Sequence, residues 1–270
     1  MTKLTSLAGL ASRIASGAKI ALPADYGGVS NVLTAEIVRA GVRDLHVVCV
    51  PTGGVQVDIL IGAGCIGTLE TSAVSLGEAG AAPCFGRAVR TGAIRLLDAT
   101  CPAILAGLTA AQKGVPFMPI RGLIGSDVLR YRPNWRVIAN PFGDTDQIVV
   151  VPAIQPDLCL FHAPEADRDG NVRVGRRQEL ALMAYASRET LVTVERISER
   201  SLFEDEVGAA GVVPALYISA VAEAPWGAWP YGLWGEYAAD SEAIARYARA
   251  ARTEKGFRGY LEAMLGRVPA

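Results

Sequence analysis

The sequence lacks the features that define membrane, secreted and histidine-metal proteins. Its apolar runs are broken by Gly, Pro or charge before they reach the roughly 20 residues that a bilayer-spanning helix needs. Two histidines, His46 and His162, are too few for a histidine-built metal centre. The five cysteines include no Cys-x-x-Cys pair, and an odd count without that spacing is typical of a reducing compartment. We therefore predict a cytoplasmic protein with no metal site and no membrane span.

The sequence also has no large excess of positive or negative charge. The 26 Lys and Arg residues and the 27 Asp and Glu residues leave a net charge of −1, with the two signs interspersed. A surface for nucleic acid or anionic lipid needs clustered positive charge, so neither partner is predicted. No linker, low-complexity tract or repeat interrupts the 270 residues, which predicts one domain over 1–270.

Short apolar runs alternate with helical patterns and predict an α/β fold. The segments "KIALPA", "SNVLTAEIVRAG", "DLHVVCV" and "VDILIGAG" follow one another as strand, helix, strand and strand. Strands that are apolar at nearly every position are covered on both faces, as in a buried parallel sheet. Further strands are expected at "AIRLLDA", "QIVVVPAI", "DLCLFHA", "TLVTVERI" and "ALYISAVAEAP". Helices are expected at 103–113, 177–186 and 241–260, and an amphipathic first helix over Leu4, Leu7, Leu10 and Ile14.

Two glycine segments are candidates for anion binding. Residues 62–67, "GAGCIG", match the dinucleotide fingerprint, which would suggest a nicotinamide-dependent dehydrogenase. The following "TLETSAVSLGEAG" has no helical apolar stripe, so a tight turn between two strands is the favoured interpretation. In "ADYGGVSN", Gly27, Gly28 and Val29 lie between a strand and a helix, where backbone N–H groups can bind an oxyanion or phosphate. A plain connection that needs glycine dihedrals is the alternative.

Several polar residues are candidates for chemistry. Arg121 lies in "PFMPIRGLIGSDV" with Gly122 and Ser126, after an apolar segment where a guanidinium needs either a carboxylate or a ligand. Acids expected near a cleft can act as nucleophiles or bases, or can simply be caps and solvated charges; they are Glu70, Glu78, Asp98, Asp127 and Glu195. Cys101 is either a reactive thiol or a small core residue.

Two further segments have structural alternatives. In "EADRDGN", Asp167 and Asn171 are predicted to cap backbone groups of a turn, because the spacing does not fit an EF-hand. The segment "APWGAWPYGLWGEY" holds three of the four tryptophans. This segment is predicted to form a ligand-binding surface, a subunit interface, or a loop that packs against the body of the protein by burying its own aromatic rings.

Taken in order, these segments resemble the family I coenzyme A transferases of the α-subunit type. The resemblance rests on "GG" near residue 27, "PFMPIRGLIGSDV" at 116–128, "AD..GN" at 166–171, "LVTVERI" at 191–197 and "AEAPWGAWP" at 222–230, and it covers nearly the whole chain. It implies a parallel-sheet fold of the sugar-isomerase type with helices on both faces. It also implies a β-type partner in an α2β2 assembly, acyl-CoA and a carboxylate as substrates, and no cofactor besides CoA itself.

The resemblance further implies roles for particular residues. In these transferases a glutamate of the β-type half, within a Ser-Glu-Asn-Gly-like motif, attacks the thioester; this sequence has no such tetrapeptide, so the nucleophile is expected from the partner. Asp98 and Arg121 are expected to be the catalytic residues of this chain. CoA and substrate are expected to contact a further set of residues, namely Gly27, Gly28, Val29, Glu70, Gly122 and Ser126.

The same resemblance leaves two alternatives open. Ring-cleaving CoA-ester hydrolases of steroid breakdown are similar to the transferases but use an acid of the α-type chain, in the segment before "PF.P.R". Asp98 is the acid of the matching segment "GAIRLLDATCPAIL", and Trp229 stands where relatives often have His. The third interpretation is a non-catalytic subunit that only supports its partner.

Overall fold

A computed structural model describes residues 3–143 and 146–266. Its helices are α1 (Leu7–Ala11), α2 (Asn31–Arg39), α3 (Val55–Gly62), α4 (Pro83–Thr91), α5 (Cys101–Lys113), α6 (Val128–Tyr131), α7 (Gln178–Ala186), α8 (Glu206–Ala209), α9 (Ser241–Ala250) and α10 (Glu254–Leu265). Its strands are β1 (Lys19–Pro23), β2 (Leu45–Val50), β3 (Ile66–Thr71), β4 (Arg95–Asp98), β5 (Phe117–Ile120), β6 (Arg136–Ala139), β7 (Gln147–Pro152), β8 (Leu158–Asp167), β9 (Val172–Arg173), β10 (Glu189–Ser198), β11 (Val212–Val213) and β12 (Ala220–Glu223). Short 3₁₀ turns lie at Asp25–Gly27, Gly77–Ala79 and Ala215–Tyr217.

The main sheet is built from parallel strands in the order β4-β3-β2-β1-β8-β10-β12. β9 pairs antiparallel with the far end of β8, and β11 pairs with β9. A separate antiparallel sheet has the order β5-β7-β6 and packs against α5. Because parallel strands end at the same edge, the loops that follow them gather on one side of the sheet, where ligands of α/β proteins bind.

Helices cover both faces of the main sheet, as the sequence predicts. Successive residues of a strand point to opposite faces, so Ile20 and Leu22 of β1 enter one core while Ala21 enters the other. The first core is closed by α1, α2, α3, α4, α9 and α10. The second is closed by α5, α7 and the antiparallel sheet. Since both faces are buried, the central strands are apolar at nearly every position.

The prediction of a strand at "VDILIGAG" is wrong, because residues 55–62 form α3. Seven consecutive residues, Val55 to Ile61, are buried, including the polar Gln56 and Asp58, so this helix is buried on every side and shows no amphipathic stripe. The glycine segment at 62–67 consequently joins a helix to a strand rather than two strands. A dinucleotide site needs a turn that leads from a strand into a helix, because the start of that helix holds the pyrophosphate. The turn here leads from a helix into a strand, so there is no structural basis for such a site.

Two predicted helices also differ in extent. The first helix covers only Leu7–Ala11, and Leu4 instead forms a β-bridge with Val221. The expected helix over 241–260 is divided into α9 and α10, because Thr253 breaks the run and its side chain caps the Gly256 N–H. The other predicted helices and strands are present, although residues 215–217 form a 3₁₀ turn before β12.

Candidate active site

Loops from the carboxyl ends of β1, β2 and β3 meet the aromatic C-terminal loop around two adjoining cavities. One cavity, of about 520 Å³, lies between Asp25 and the loop residues 231–237. The other, of about 310 Å³, lies between Asp25 and the turns that follow β2 and β3. Asp25, Tyr26 and Tyr231 line both cavities. This position at the ends of parallel strands makes the pair of cavities the candidate active site.

β1 ends at Pro23. Beyond that point the Gly27–Gly28 turn, instead of β1, lies beside β8. Gly28 adopts φ +97° and ψ +59°, and its carbonyl accepts a hydrogen bond of 2.7 Å from the His162 N–H. A Cβ atom at Gly28 would lie 2.3 Å from the His162 carbonyl oxygen and 3.1 Å from the Trp234 ring. Both the dihedral angles and the space therefore require glycine. Val29 is fully buried beneath the turn.

Asp25 lies inside the quoted segment "ADYGGVSN" but is not among the residues that the sequence singles out. The residue as a whole is half-buried, whereas its Oδ1 atom is shielded from solvent and has no hydrogen-bond partner in the described chain. Burial raises the pKa of Asp25 to about 7, against the opposing effects of the nearby Tyr231 hydroxyl and Val55 N–H. A carboxyl group that titrates near neutrality, on the wall of two cavities, can donate or accept a proton at the pH of the cell.

Replacing Asp25 by Asn is expected to stabilise the protein at pH 8 and to change its stability little at pH 4. The folded state keeps the Asp25 proton up to a pH of about 7, whereas an unfolded Asp loses it near pH 4. The contribution of Asp25 to the free energy of unfolding therefore falls as the pH rises from the unfolded pKa to the folded pKa. We expect the free energy of unfolding of Asp25→Asn to be about 2 kcal/mol higher than that of the wild type at pH 8. This gain is smaller than the pKa difference alone implies, because part of the residue reaches solvent.

Urea denaturation at the two pH values measures this effect. Asp127→Asn is the matched control, because its carboxylate is exposed and only pairs with Arg130, so it should change stability little at either pH. An equal effect of Asp25→Asn at pH 4 and pH 8 would contradict the assignment of a titrating buried carboxyl.

A chain of buried hydrogen bonds runs beneath the glycine turn. His162 contacts Thr193 Oγ1 through Nδ1 at 2.8 Å and Glu195 Oε1 through Nε2 at 2.6 Å. Thr193 in turn contacts the Ser30 hydroxyl at 2.7 Å. The three polar side chains Ser30, Thr193 and His162 are fully buried, so each needs these partners. The network joins the start of α2 to β8 and β10 and fixes the turn between them.

The same network anchors the aromatic loop. Glu195 accepts hydrogen bonds from the Trp226 N–H and the Tyr237 hydroxyl, each at 2.8 Å. Burial alone would raise the pKa of Glu195, but the hydrogen bonds from His162, Trp226 and Tyr237 lower it below its ordinary value. Trp226 stacks on Tyr237 with ring centroids 4.4 Å apart. Because its carboxylate is already committed to these donors, Glu195 holds the loop over the cavity rather than facing it as a free base.

Glu70 lies in the interior, away from the cavity walls. Its carboxylate pairs with Arg132 at 2.5 Å, and His46 and Lys19 lie at 3.4 and 3.9 Å. Burial alone would raise the pKa of Glu70, but the His46 hydrogen bond and the Arg132 and Lys19 charges lower it to about 2. Arg132 also donates to the Asp98 carbonyl at 3.1 Å. Through its ion pair with Arg132, Glu70 therefore helps to hold the loop after β4 in place.

The structure places Asp98, Arg121, Gly122 and Ser126 on the outer rim, apart from the glycine turn. Asp98 is exposed at the end of β4, and its side chain accepts the Ala99 N–H at 3.0 Å. Arg121 is exposed and pairs with Asp146 at 2.5 Å. Gly122 is exposed as well, and the Ser126 hydroxyl accepts the Val128 N–H. Since α6 contacts β4, this segment adjoins Asp98 along one edge of the molecule.

Three other candidates have local roles in the structure. Asp167 caps the turn at residues 167–171 by accepting the Asp169 and Asn171 N–H groups, and Asn171 accepts the Ala215 N–H. The predicted capping turn is therefore confirmed. The Cys101 thiol is partly exposed and lies 3.1 Å from the Ser72 hydroxyl. Glu78 is exposed in the 3₁₀ turn after β3.

Large apolar side chains are exposed along the edge that carries Asp98 and Arg121. They lie on β4, on the antiparallel sheet and on the segment that connects β5 to β6, and comprise Leu96, Phe117, Ile124, Tyr131, Val137 and Ile138. Tyr26, on the wall of both cavities, is exposed as well. A contiguous exposed apolar surface marks a protein interaction site. Tyr26 and the apolar side chains of this edge are thus suited to contact with another chain.

The fold and site define a known class of protein. The family model for coenzyme A transferase matches residues 4–224, and the chain belongs to the coenzyme A transferase family. Its fold is that of glutaconate coenzyme A-transferase from Acidaminococcus fermentans, whose crystal structure it matches with a TM-score of 0.88 at 26% identity, over 97% of this chain and 88% of the other. A crystal structure of a variant of the decarboxylase AibA/AibB matches with the same TM-score at 28% identity, over 99% and 100% of the two chains.

Relatives by sequence point to the same type of enzyme subunit. A 3-oxoadipate CoA-transferase subunit from Pseudomonas knackmussii is 32% identical over 84% of this chain and 80% of its own length. The cholesterol ring-cleaving hydrolase IpdA subunit from Rhodococcus jostii is 28% identical over 86% and 81%. An uncharacterized protein of Archaeoglobus fulgidus is 30% identical over 87% of this chain, which spans about half (52%) of that relative's length.

Proposed function

We propose that this chain is the α-type subunit of a heteromeric CoA transferase that moves CoA from an acyl-CoA thioester to a carboxylate acceptor. The attacking glutamate comes from a β-type partner, in an α2β2 assembly. The observation that carries this proposal is Tyr26, a large aromatic side chain that lines both cavities and is itself exposed, so the site opens onto a surface that another chain can cover. The relatives whose names describe them as subunits of CoA-transferases support the same arrangement.

The acids of this chain support a borrowed nucleophile. Glu195 is committed to His162, Trp226 and Tyr237, and Glu70 is committed to Arg132. Burial shields Oδ1 of Asp25 and raises the pKa of its carboxyl to about 7, so part of the carboxyl is protonated, and cannot attack, at neutral pH. A partner glutamate would avoid these constraints.

Each residue on the site then has a distinct role in this proposal. The turn of Gly27, Gly28 and Val29 orients the thioester carbonyl, and an oxyanion-hole N–H group contributes about 3 kcal/mol to such a reaction. Asp98 and Arg121 line the cleft on the partner's side. Gly122 and Ser126 contact CoA, and Glu70 positions Asp98 through Arg132.

The proposal is tested by the dependence of the reaction on an acceptor. The chain is co-purified with a β-type chain and mixed with an acyl-CoA, with and without a carboxylate acceptor. Transfer predicts a new acyl-CoA only when both chains and the acceptor are present. Rapid release of free CoA without an acceptor would contradict transfer and indicate hydrolysis, and release of CO₂ would indicate decarboxylation.

Hydrolysis is the second candidate, favoured by the similarity to the IpdA subunit. Asp98 is exposed on the partner-facing rim, where it could act as the acid or base of a hydrolase. If Asp98 is that group, Asp98→Asn lowers CoA release by about 100-fold or more. The Asp127→Asn control, in the neighbouring exposed segment, should leave the rate unchanged.

A further inference from the structure

We propose that the aromatic C-terminal loop and α10 form a binding site for a small neutral ring compound that carries one hydrogen-bond donor. The site is a cavity of about 260 Å³, distinct from the two cavities at Asp25. Its wall consists of Asn31, Val32, Ile59, Pro225, Trp226, Trp229, Pro230, Tyr260, Ala263 and Met264. The inference goes beyond the transferase function and rests on it only for the measurement made with the β-type partner.

The chemistry of the wall selects an uncharged, ring-shaped ligand. The residues that line this cavity in the described chain include no acid, no base and no histidine, so a free carboxylate or a CoA phosphate would find no counter-charge. Trp226, Trp229 and Tyr260 present aromatic surface, which favours stacked or edge-on contacts with another ring. An apolar cavity of about 150 Å³ holds benzene. The space here suits one or two fused rings.

Asn31 gives the site a specific polar feature. Its side chain is 7% exposed, and its amide Nδ2 donates to the Ala228 carbonyl at 2.9 Å. A carbonyl only accepts hydrogen bonds, so the amide nitrogen must face Ala228 and the oxygen must point elsewhere. That oxygen, Oδ1, is buried and has no hydrogen-bond partner among the described residues. Because this oxygen is shielded from the cavity as the side chain stands, a ligand N–H or O–H satisfies it only after the Asn31 amide turns toward the cavity.

Most of the wall lies outside the part of the chain that the family model matches. That match ends at residue 224, and the aromatic loop and α10 follow it. The loop is attached to α2 by two hydrogen bonds, from Val32 N–H to the Gly227 carbonyl and from Asn31 to the Ala228 carbonyl. The cavity is therefore built between the start of α2, α3 and the C-terminal segment, which the matched crystal structures also cover.

Indole is a suitable test ligand, since it is a neutral fused ring with one N–H donor. The four methionines of the chain, labelled with ¹³C at the methyl group, provide the readout. Met264 lines the cavity, whereas Met183 lies in the opposite core and Met118 in the antiparallel sheet. We expect indole to shift the Met264 signal in a saturable way and to leave Met118 and Met183 unchanged. Indene, which has the same shape but no donor, should bind about ten-fold more weakly.

Two variants of α10 make the test specific. Ala263→Phe fills the cavity from an exposed position and should abolish the Met264 shift. Glu262→Phe, one residue earlier and not part of the wall, should retain it. The measurement uses the full chain, alone and in complex with its β-type partner. No shift of Met264, a shift that persists in Ala263→Phe, equal binding of indene, or loss of binding in the complex would each overturn the proposal.

Discussion

Replacing Gly28 by Ala is expected to abolish measurable CoA transfer and to destabilise the chain by more than about 2 kcal/mol. The left-handed backbone at Gly28 costs about 1–2 kcal/mol for any residue with a side chain. The added methyl group would also lie 2.3 Å from the His162 carbonyl oxygen, a clash that backbone movement must relieve. That movement displaces the turn proposed to hold the thioester carbonyl, so we expect a rate loss of at least about 100-fold.

Gly64→Ala is the matched control for this prediction. Gly64 has φ +72°, so the cost of the left-handed backbone is similar, but a Cβ there would meet nothing within 4 Å. Its turn lies after α3, away from the cavities. The control should lose about 1 kcal/mol of stability and retain full turnover. Equal turnover of Gly28→Ala and the wild type, measured as formation of the new acyl-CoA from the acceptor, would remove the glycine turn from the mechanism.

Replacing Arg132 by Met is expected to destabilise the protein by about 3 kcal/mol. Arg132 is 2% exposed, pairs with Glu70 at 2.5 Å and stacks on Trp135 at 4.1 Å. Its removal leaves a buried carboxylate with weaker partners, which is costly in an interior. It also removes the hydrogen bond to the Asp98 carbonyl, so the rim loop should loosen.

Denaturant unfolding of three variants separates these effects. In the Glu70→Gln/Arg132→Met double variant the buried charge is gone, so it should be no less stable than Arg132→Met alone. Arg130→Met removes an arginine that is 80% exposed, and it should cost at most about 0.5 kcal/mol. A loss in Arg132→Met no larger than in Arg130→Met would show that the buried pair does not stabilise this part of the fold.

The parallel sheet and its glycine turn follow from sequence patterns that are local. β1, β2 and the first half of β8 are mostly apolar runs, and Gly27–Gly28 follows closely after the first of them. The helix α3 could not be recognised in the same way, because a segment buried on every side has no helical periodicity to detect. β5 and β6 are not expected from the sequence either, since each strand has only four residues and exposes apolar side chains.

The site depends on pairings that no local pattern contains. His162 meets Glu195 because β8 and β10 are adjacent and Thr193 lies opposite His162 in the register. These residues are far apart in the sequence. Asp25 does have a local signal, an acid placed between a buried strand and a glycine pair. Its importance becomes visible only when Tyr231 and the turns after β2 and β3 enclose it.

The central claim is that this chain forms half of a thioester site and takes its attacking carboxylate from another chain. It is tested most directly by incubating the two-chain complex with acyl-CoA in the absence of an acceptor and measuring the intact mass of each chain. The account predicts a covalent CoA adduct on the β-type chain and an unmodified mass for this one. A CoA adduct on this chain, or full transfer activity of this chain alone, would contradict it.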